Sequence, residues 1–476
     1  MSNSKKFIDN LVSGWFQRNF LNKKEGSRFL ESGEYEQFIS HRYDGLLMDG
    51  QRLRLSKKSS FQNVMCFAKS GQNKTTTYVI TNVLDRAKDD CSLFINDPKG
   101  DVFKSTAGYL ETQGFDVIVY DPENPTKSQY FNPCFEAKTE IELDQIAQAI
   151  IYSASPDPSD RIWNDGAVNV LSVILKTLSY GKASEFNLVN LHHVLTRITD
   201  YPKMTHWISK VAHENDNIYL LKQWESVFIG EARMVGSFIT NAMNAMKFFN
   251  NKAIRDFFHT SDYKLSDFRK KKTAIFLISP PNQDTYYSFI KSLMFKSIFN
   301  ECMRDHHQDG HTLPVYLLMD EAGNTYIPDF PETITTVRSY RASVFLIFQS
   351  VSQLEEKYGK SGASAIHGGV STEICLPGGD LDTTQYFSKL CGNVIDIQAK
   401  DELGIRTSRT EYSLVNPENV RTLPSNTAII IHRNEPPVLL HTKPFYEVGK
   451  FRRFASISAN RLVRRHKKIN IPLTEF

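Results

Sequence analysis

Four apolar residues, Val64-Met65-Cys66-Phe67, run directly into Ala68-Lys69-Ser70-Gly71-Gln72-Asn73-Lys74-Thr75. A buried-type strand that ends in a short polar loop with Lys-Thr at its exit is the layout of a phosphate loop, usually G-x-x-x-x-G-K-[ST]. Lys74 and Thr75 hold the last two places, while Ala68 and Asn73 stand where both glycines belong. Such a loop must aim successive backbone N–H groups at β- and γ-phosphates, at the start of the following helix. Glycine serves there because it reaches positive φ freely. Asparagine is the best non-glycine visitor to the left-handed region, so Asn73 is expected to keep the loop's shape. Ala68 sits at the entry and is tolerated wherever φ is negative. Ser70, Gly71, Gln72, Asn73, Lys74, Thr75 and Thr76 are therefore the candidate nucleotide-binding residues. Lys74 has the reach for the β/γ oxygens and Thr75 the hydroxyl for Mg2+.

About 250 residues downstream, Leu317-Leu318-Met319-Asp320-Glu321 supplies the other half of such a site. Val315 to Met319 reads as a buried strand, and ligands of parallel α/β sheets sit at strand carboxyl ends. Asp320, in that position, suits Mg2+ directly or through water. Glu321 suits polarising the attacking water, which makes it the candidate base. Phe345 to Phe348 is a further strand, and Gln349 at its end can face the γ-phosphate and report its loss. Arg338 and Arg341, just ahead of that strand, could reach a neighbouring subunit's site as an arginine finger, which neutralises charge in phosphoryl transfer.

With 476 residues the chain has room for two or three domains. A net charge of +4 does not by itself announce a nucleic-acid binder. The six cysteines are scattered without a C-x-x-C pair, and several fall in strand-like runs. That pattern excludes a zinc knuckle or a disulfide framework and points to reduced, buried thiols. No stretch approaches the roughly 18–20 apolar residues of a membrane span. The start has no apolar core of a signal peptide. The expected location is therefore cytoplasmic.

Strands are expected at Val64–Phe67, Ser92–Asn96, Val117–Tyr120, Thr273–Ser279, Val315–Met319, Ser343–Phe348, Thr372–Leu376 and Ala428–Ile431. Most are continuous apolar runs, as buried parallel strands are, and helical patterns such as Thr75–Asp89 and Tyr286–Arg304 follow several of them. The fold class is α/β, a P-loop domain with a mainly parallel sheet. From 140 to 258 strand runs vanish and amphipathic helical periods take over, which reads as an all-α insertion. Both ends are basic: 1–60 forms an N-terminal region, and 448–476 a tail with Lys450, Arg452, Arg453, Arg461, Arg464, Arg465, Lys467 and Lys468. Such an arm could follow nucleic acid or anionic lipid. The remainder is expected to fold without the tail.

Several further segments carry a resemblance. They are Asn96-Asp97-Pro98-Lys99-Gly100-Asp101, Tyr130-Phe131-Asn132-Pro133, Trp163-Asn164-Asp165-Gly166-Ala167, Glu231-Ala232-Arg233, Leu277-Ile278-Ser279-Pro280-Pro281, Met319 to Asn324, Gln349 to Leu354, and Val415 to Pro424. In this order, from about Phe61 to Tyr446, the chain resembles the coupling-protein ATPases of type IV secretion and conjugation, the TraG/TraD group. The resemblance implies a RecA-like ATPase domain in two parts, 61–139 and 259–447, around the all-α domain 140–258. It implies ATP and Mg2+ as cofactors. Lys74 and Thr75 would then hold phosphate and metal, Asp320 the metal, with Glu321 as hydrolytic base, Gln349 as sensor and Arg338 as finger. It implies a homo-oligomeric ring, often a hexamer. Its partners would be DNA, a relaxosome or secreted protein substrate, and the channel components of the inner membrane.

The chain departs from that family in having no N-terminal transmembrane helices, so a peripheral position at the inner face of the membrane is expected. The altered phosphate loop leaves two other readings open. One is a nucleotide-gated receptor without turnover, favoured by the lost glycines and opposed by Glu321. The other is a DNA translocase of the FtsK/HerA kind, opposed by the inserted helical domain and the Gln349–Leu354 stretch.

Overall fold

A computed structural model describes residues 25–155, 160–199, 201–229, 231–279, 284–304, 311–400, 406–460 and 469–475. Lys5, Lys6, Arg18, Lys23 and Lys24, the five basic residues between Arg461 and Lys468, and the Pro280-Pro281 pair lie outside the described residues. The chain forms two compact units. The first comprises Met1–Arg86, Met319–Gly323 and Ser343–Ser456; the second comprises Ala87–Leu318, Asn324–Ala342 and Ile457–Phe476.

In the first unit the strand order is Val438–His441, Thr427–His432, Thr372–Cys375, Val64–Phe67, Ala342–Phe348. The last three are mutually parallel, with Phe67 opposite both Cys375 and Phe348. The expected strands Thr372–Leu376, Val64–Phe67 and Ser343–Phe348 are found at Thr372–Cys375, Val64–Phe67 and Ala342–Phe348, and nearly every one of their residues is buried. Thr427–His432 pairs antiparallel with Thr372–Cys375, and Val438–His441 antiparallel with it in turn. A continuous apolar run cannot tell a parallel from an antiparallel partner when both faces are covered, so only the connection decides. The hairpin Asn393–Lys400 with Arg406–Ser413 was not expected. Its polar sequence carries no apolar run to announce it.

In the second unit the order is Val315–Met319, Ser92–Asn96, Thr273–Leu277, Asp116–Tyr120, the last three parallel. The described residues between Glu140 and Phe258 form helices and no strand, including Glu140–Ala154, Arg161–Ser179, Leu188–Leu195 and Ala232–Met246. Each presents apolar residues at helical spacing: Val170, Leu171, Ile174 and Leu178 of the second are all buried. Full burial of such a side chain contributes on the order of 1.5–3 kcal/mol. Gly166 lies against the ring of Phe238, where a Cβ would come within 2.2 Å of the ring. Among the described residues no helix is long and apolar enough to cross a membrane.

The C-terminal segment is docked, contrary to the expectation of a detached arm. Gly449–Ala455 is a helix with Phe451 buried. In the second unit, Gly108 of the helix Asp101–Thr112 has room only for hydrogen, because the Ile457 carbonyl would lie 2.2 Å from a Cβ. Further on, Asn190 accepts from the Thr474 amide at 2.8 Å and donates to the Pro472 carbonyl at 3.0 Å. Among the described residues, the tail is held here through its backbone: the Ile457 carbonyl against Gly108, and the Pro472 carbonyl and Thr474 amide on Asn190.

Candidate nucleotide site

The phosphate loop leaves its strand at Ala68, whose amide donates to the Phe348 carbonyl at 3.0 Å. Ala68 is buried and is not among the residues of positive φ. Gly71 has φ +86°, and a Cβ there would meet nothing within 4 Å, so the space over the loop is open. Asn73 has φ +57°, the left-handed conformation that the sequence asked of it. Its carbonyl accepts from the Thr77 amide and the Thr76 hydroxyl, which starts the helix. That helix opens with a wide π turn at Thr75–Val79 and continues as α-helix over Ile80–Arg86. Single π turns recur at functional sites.

Lys74, at the mouth of this helix, is buried, and its Nζ finds no hydrogen-bond partner among the described residues. An ammonium group removed from water without a partner is costly, and a charged ligand is what would relieve it. The Thr75 hydroxyl donates to Asp320 Oδ2. Asp320 is nearly fully buried at its strand end, and its Oδ1 accepts from the Glu321 amide at 3.0 Å. Burial raises the Asp320 carboxyl above its ordinary value; the Thr75 hydrogen bond and the Lys74 charge pull the other way. The same burial pushes the neighbouring Cys66 thiol far up, so it is inert. Glu321 has φ +53°, a conformation that costs a non-glycine residue about 1–3 kcal/mol and that clusters at functional sites.

Gln349 follows the buried strand Ala342–Phe348 and is half-buried. Its amide donates to Gln353 Oε1 at 2.9 Å, while Ser350 caps the next helix by accepting from the Gln353 amide. Gly323 lies under the same Gln353 side chain, because a Cβ there would sit 2.1 Å from the amide carbon. Gln353 thus ties the turn after Asp320-Glu321 to the Gln349 strand end. Gln353 is marked in the sequence only as part of the Gln349–Leu354 stretch, with no site role of its own; the signal for one is a glutamine four residues after Gln349 and a glycine two after Glu321. The loop after Thr372–Cys375 also borders the phosphate loop, with Gln72 Nε2 3.3 Å from a Cβ at Gly378.

The first unit therefore brings together Lys74, Thr75, Asp320 and Glu321, with Gln349 linked to them through Gln353. Ser70, Gly71, Gln72, Asn73 and Thr76 lie in the same loop and helix start. Arg338 belongs to the second unit, exposed in the short turn Val337–Tyr340. Arg341 has φ +58°, and its guanidinium donates to the Thr312 carbonyl at 2.8 Å, a structural engagement within that unit. The residues present fit a nucleoside triphosphate with Mg2+: an orphaned buried ammonium, open space over Gly71, and a hydroxyl–carboxylate pair.

The family described as Type IV secretory system Conjugative DNA transfer matches residues 29–468. Protein VirD4 of Rhizobium rhizogenes is 21% identical over 377 residues, which cover 75% of this chain and 55% of that protein. The type IV secretion system-coupling protein VirD4 of Bartonella quintana is 23% identical over 440 residues, 85% of this chain and 66% of the other. The chain spans about half the length of the first Rhizobium relatives it matches. Among solved structures, the bacterial conjugative coupling protein TrwBdeltaN70 superposes with a TM-score of 0.70 at 15% identity, covering 89% of this chain and 94% of that one. The plasmid coupling protein TrwB in complex with ADP and Mg2+ gives 0.69 at 15%, covering 89% and 95%. At that identity the likeness speaks to the fold: a RecA-like P-loop domain, mainly parallel in its sheet, with an all-α part.

Proposed function

Because the chain belongs to the type IV secretory system conjugative DNA transfer family, we propose that it is a coupling protein that binds ATP with Mg2+ and hydrolyses it to hand a substrate to a secretion channel. The observation that carries this reading is the Thr75 hydroxyl bonded to buried Asp320 beside the unpartnered Lys74 ammonium. Bound Mg2+ would supply neutralisation of phosphate charge at Thr75 and Asp320. Lys74 holds the β/γ oxygens, and the loop amides from Ser70 to Thr76 orient the phosphates. Glu321 takes the proton of the attacking water, and Gln349 relays the state of the γ-phosphate to the Gln353 link. Retention of Glu321 and Lys74 supports turnover over a receptor without hydrolysis.

The segments 61–139 and 259–447 form the ATPase domain in this reading, with 140–258 as an inserted domain. A homo-oligomeric ring, a hexamer in the simplest form, lets exposed Arg338 serve a neighbour's site. DNA, a relaxosome or a secreted protein is the substrate, and the inner face of the cell membrane, beside the channel components, is the place of work. The test is Glu321→Gln in the full chain with DNA present. Nucleotide binding should persist while turnover falls by at least about a hundredfold. Wild type no faster than that variant would leave a nucleotide-gated receptor as the function. Cross-linked capture of a relaxosome component or secreted substrate from cells, against capture of DNA alone, separates coupling from a free-standing translocase.

A further inference from the structure

Away from the phosphate loop, the second unit holds a cavity of about 500 Å3. It lies where the strands Ser92–Asn96, Asp116–Tyr120 and Thr273–Leu277 end, the crevice where parallel α/β sheets take ligands, and its size is that of small-molecule sites. The chain makes room for it by local devices. After the first of these strands, Pro98-Lys99-Gly100 turns sharply, with Gly100 at φ +71°, into the helix Asp101–Thr112. At the outer strand, Val119 is occupied on its free edge, its amide donating to Gln129 Oε1 and its carbonyl accepting from the Gln129 amide, both at 2.8 Å. The opposite wall is the C-terminal segment, held where the Asn460 amide donates to Glu111 Oε2 at 3.0 Å.

The lining has two characters. Phe103, Val117, Val119 and Ile278 make it apolar, and Phe103 is fixed edge-on against Phe276 of the central strand. Lys99 and Lys127 stand exposed at its edge, and neither makes an ion pair among the described residues. Lys104, also lining it, is paired with Asp101 at 3.2 Å. Two of the acids here are engaged within the fold. Glu111 accepts from Asn460, and Asp121 accepts from the side chain and amide of Asn124 at 2.9 and 3.2 Å. A third, Glu123, is exposed at the mouth and is engaged as well. The cavity therefore offers an apolar body site and two exposed ammonium groups at its edge, of which Lys127 also bears on the Asp121 carboxyl.

The geometry points to a binding site for a small organic anion with an apolar body, its carboxylate or sulfonate at Lys99 and Lys127 and its body on Phe103, Val117, Val119 and Ile278. Asn460 forms part of the same wall, so an occupant also holds the C-terminal segment against the helix Asp101–Thr112. This site shares no residue with the phosphate loop, and its test is independent of hydrolysis.

Anilinonaphthalene sulfonate, titrated by fluorescence into the full chain, should bind at one displaceable site. Octanoate should displace it at least about tenfold better than octanol or octylamine, because only the carboxylate meets the lysines. Lys99→Gln with Lys127→Gln, both at exposed positions that the fold does not use, should weaken octanoate about tenfold and leave octanol unchanged. Val117→Trp, filling the cavity, should abolish displaceable binding with the melting temperature retained. Should Val117→Trp not fold, Val119→Met tests the same wall by a smaller change and should weaken binding at least about threefold. Equal displacement by octanol and octanoate, or octanoate binding indifferent to the double lysine substitution, would overturn the proposal. So would the absence of any displaceable site.

Discussion

Gly323 and Gln353 occupy one another's space: a single methyl at 323 would come within 2.1 Å of the Gln353 amide carbon. Gln353 in turn receives the Gln349 amide, so a change on the acidic turn is felt at the sensor strand. Gly323→Ala should displace Gln353, lower stability by about 1–3 kcal/mol, and reduce turnover more than nucleotide affinity. Gln353→Ala in the Gly323→Ala background should recover most of the stability and none of the turnover. A urea titration and a kcat/KM split check both.

The φ of +57° at Asn73 sets the order of substitutions there. Asn73→Gly should be neutral or mildly favourable for nucleotide affinity. Asn73→Val should cost at least about 1–2 kcal/mol, because a branched Cβ meets the carbonyl in the left-handed region. Equal affinity of Asn73→Val and wild type for a non-hydrolysable analogue would show that the loop is not held by its left-handed turn.

Glu136 gives the second unit a dependence on pH. Burial pushes its carboxyl from 4.5 up to about 7, with the Leu265 amide pulling the other way. Between those two values the folded chain holds a proton that the unfolded chain has released. Stability from this group is therefore full below about pH 4.5 and declines as pH rises towards 7. Glu136→Gln should remove that decline and be more stable than wild type above pH 7, on the order of 1–3 kcal/mol. Thermal melts from pH 5 to 8 give the comparison, and parallel curves for the two proteins would refute it.

Asn190 anchors the far end of the tail through the Thr474 amide and Pro472 carbonyl. Asn190→Ala should cost on the order of 1–3 kcal/mol, since buried backbone groups lose their partner. Deleting 457–476 should lower the melting temperature by about 5 °C or more. A deletion that melts as the full chain does would return the tail to the status of a free basic arm.

What the residues disclosed in advance follows from how locally each feature is encoded. All eight expected strands are present, because buried strands are continuous apolar runs. Asn73 was readable because left-handed backbone selects few residue types. The docked tail was not, since its anchors are single residues, Gly108 and Asn190, whose partners lie hundreds of positions away. Gln353 escaped because its role rests on one backbone hydrogen bond and on the missing Cβ of Gly323, neither of which has a residue pattern of its own. The antiparallel strand at Thr427–His432 is a continuous apolar run like the parallel strands of the same sheet, and only the path of the chain distinguishes them.

The bond between Thr75 and Asp320 joins residues 245 positions apart. On the ribosome, the phosphate loop leaves the tunnel with its lysine long before the carboxylate that will face it has been translated. The strand that carries Phe348, against which Phe67 packs, comes later still. Contacts of such sequence separation form slowly, and half-made sheets of this kind expose apolar edges while they wait. The nascent chain therefore passes through a long interval in which Val64–Phe67 has neither neighbour. The order in which its codons are read sets how long that strand waits.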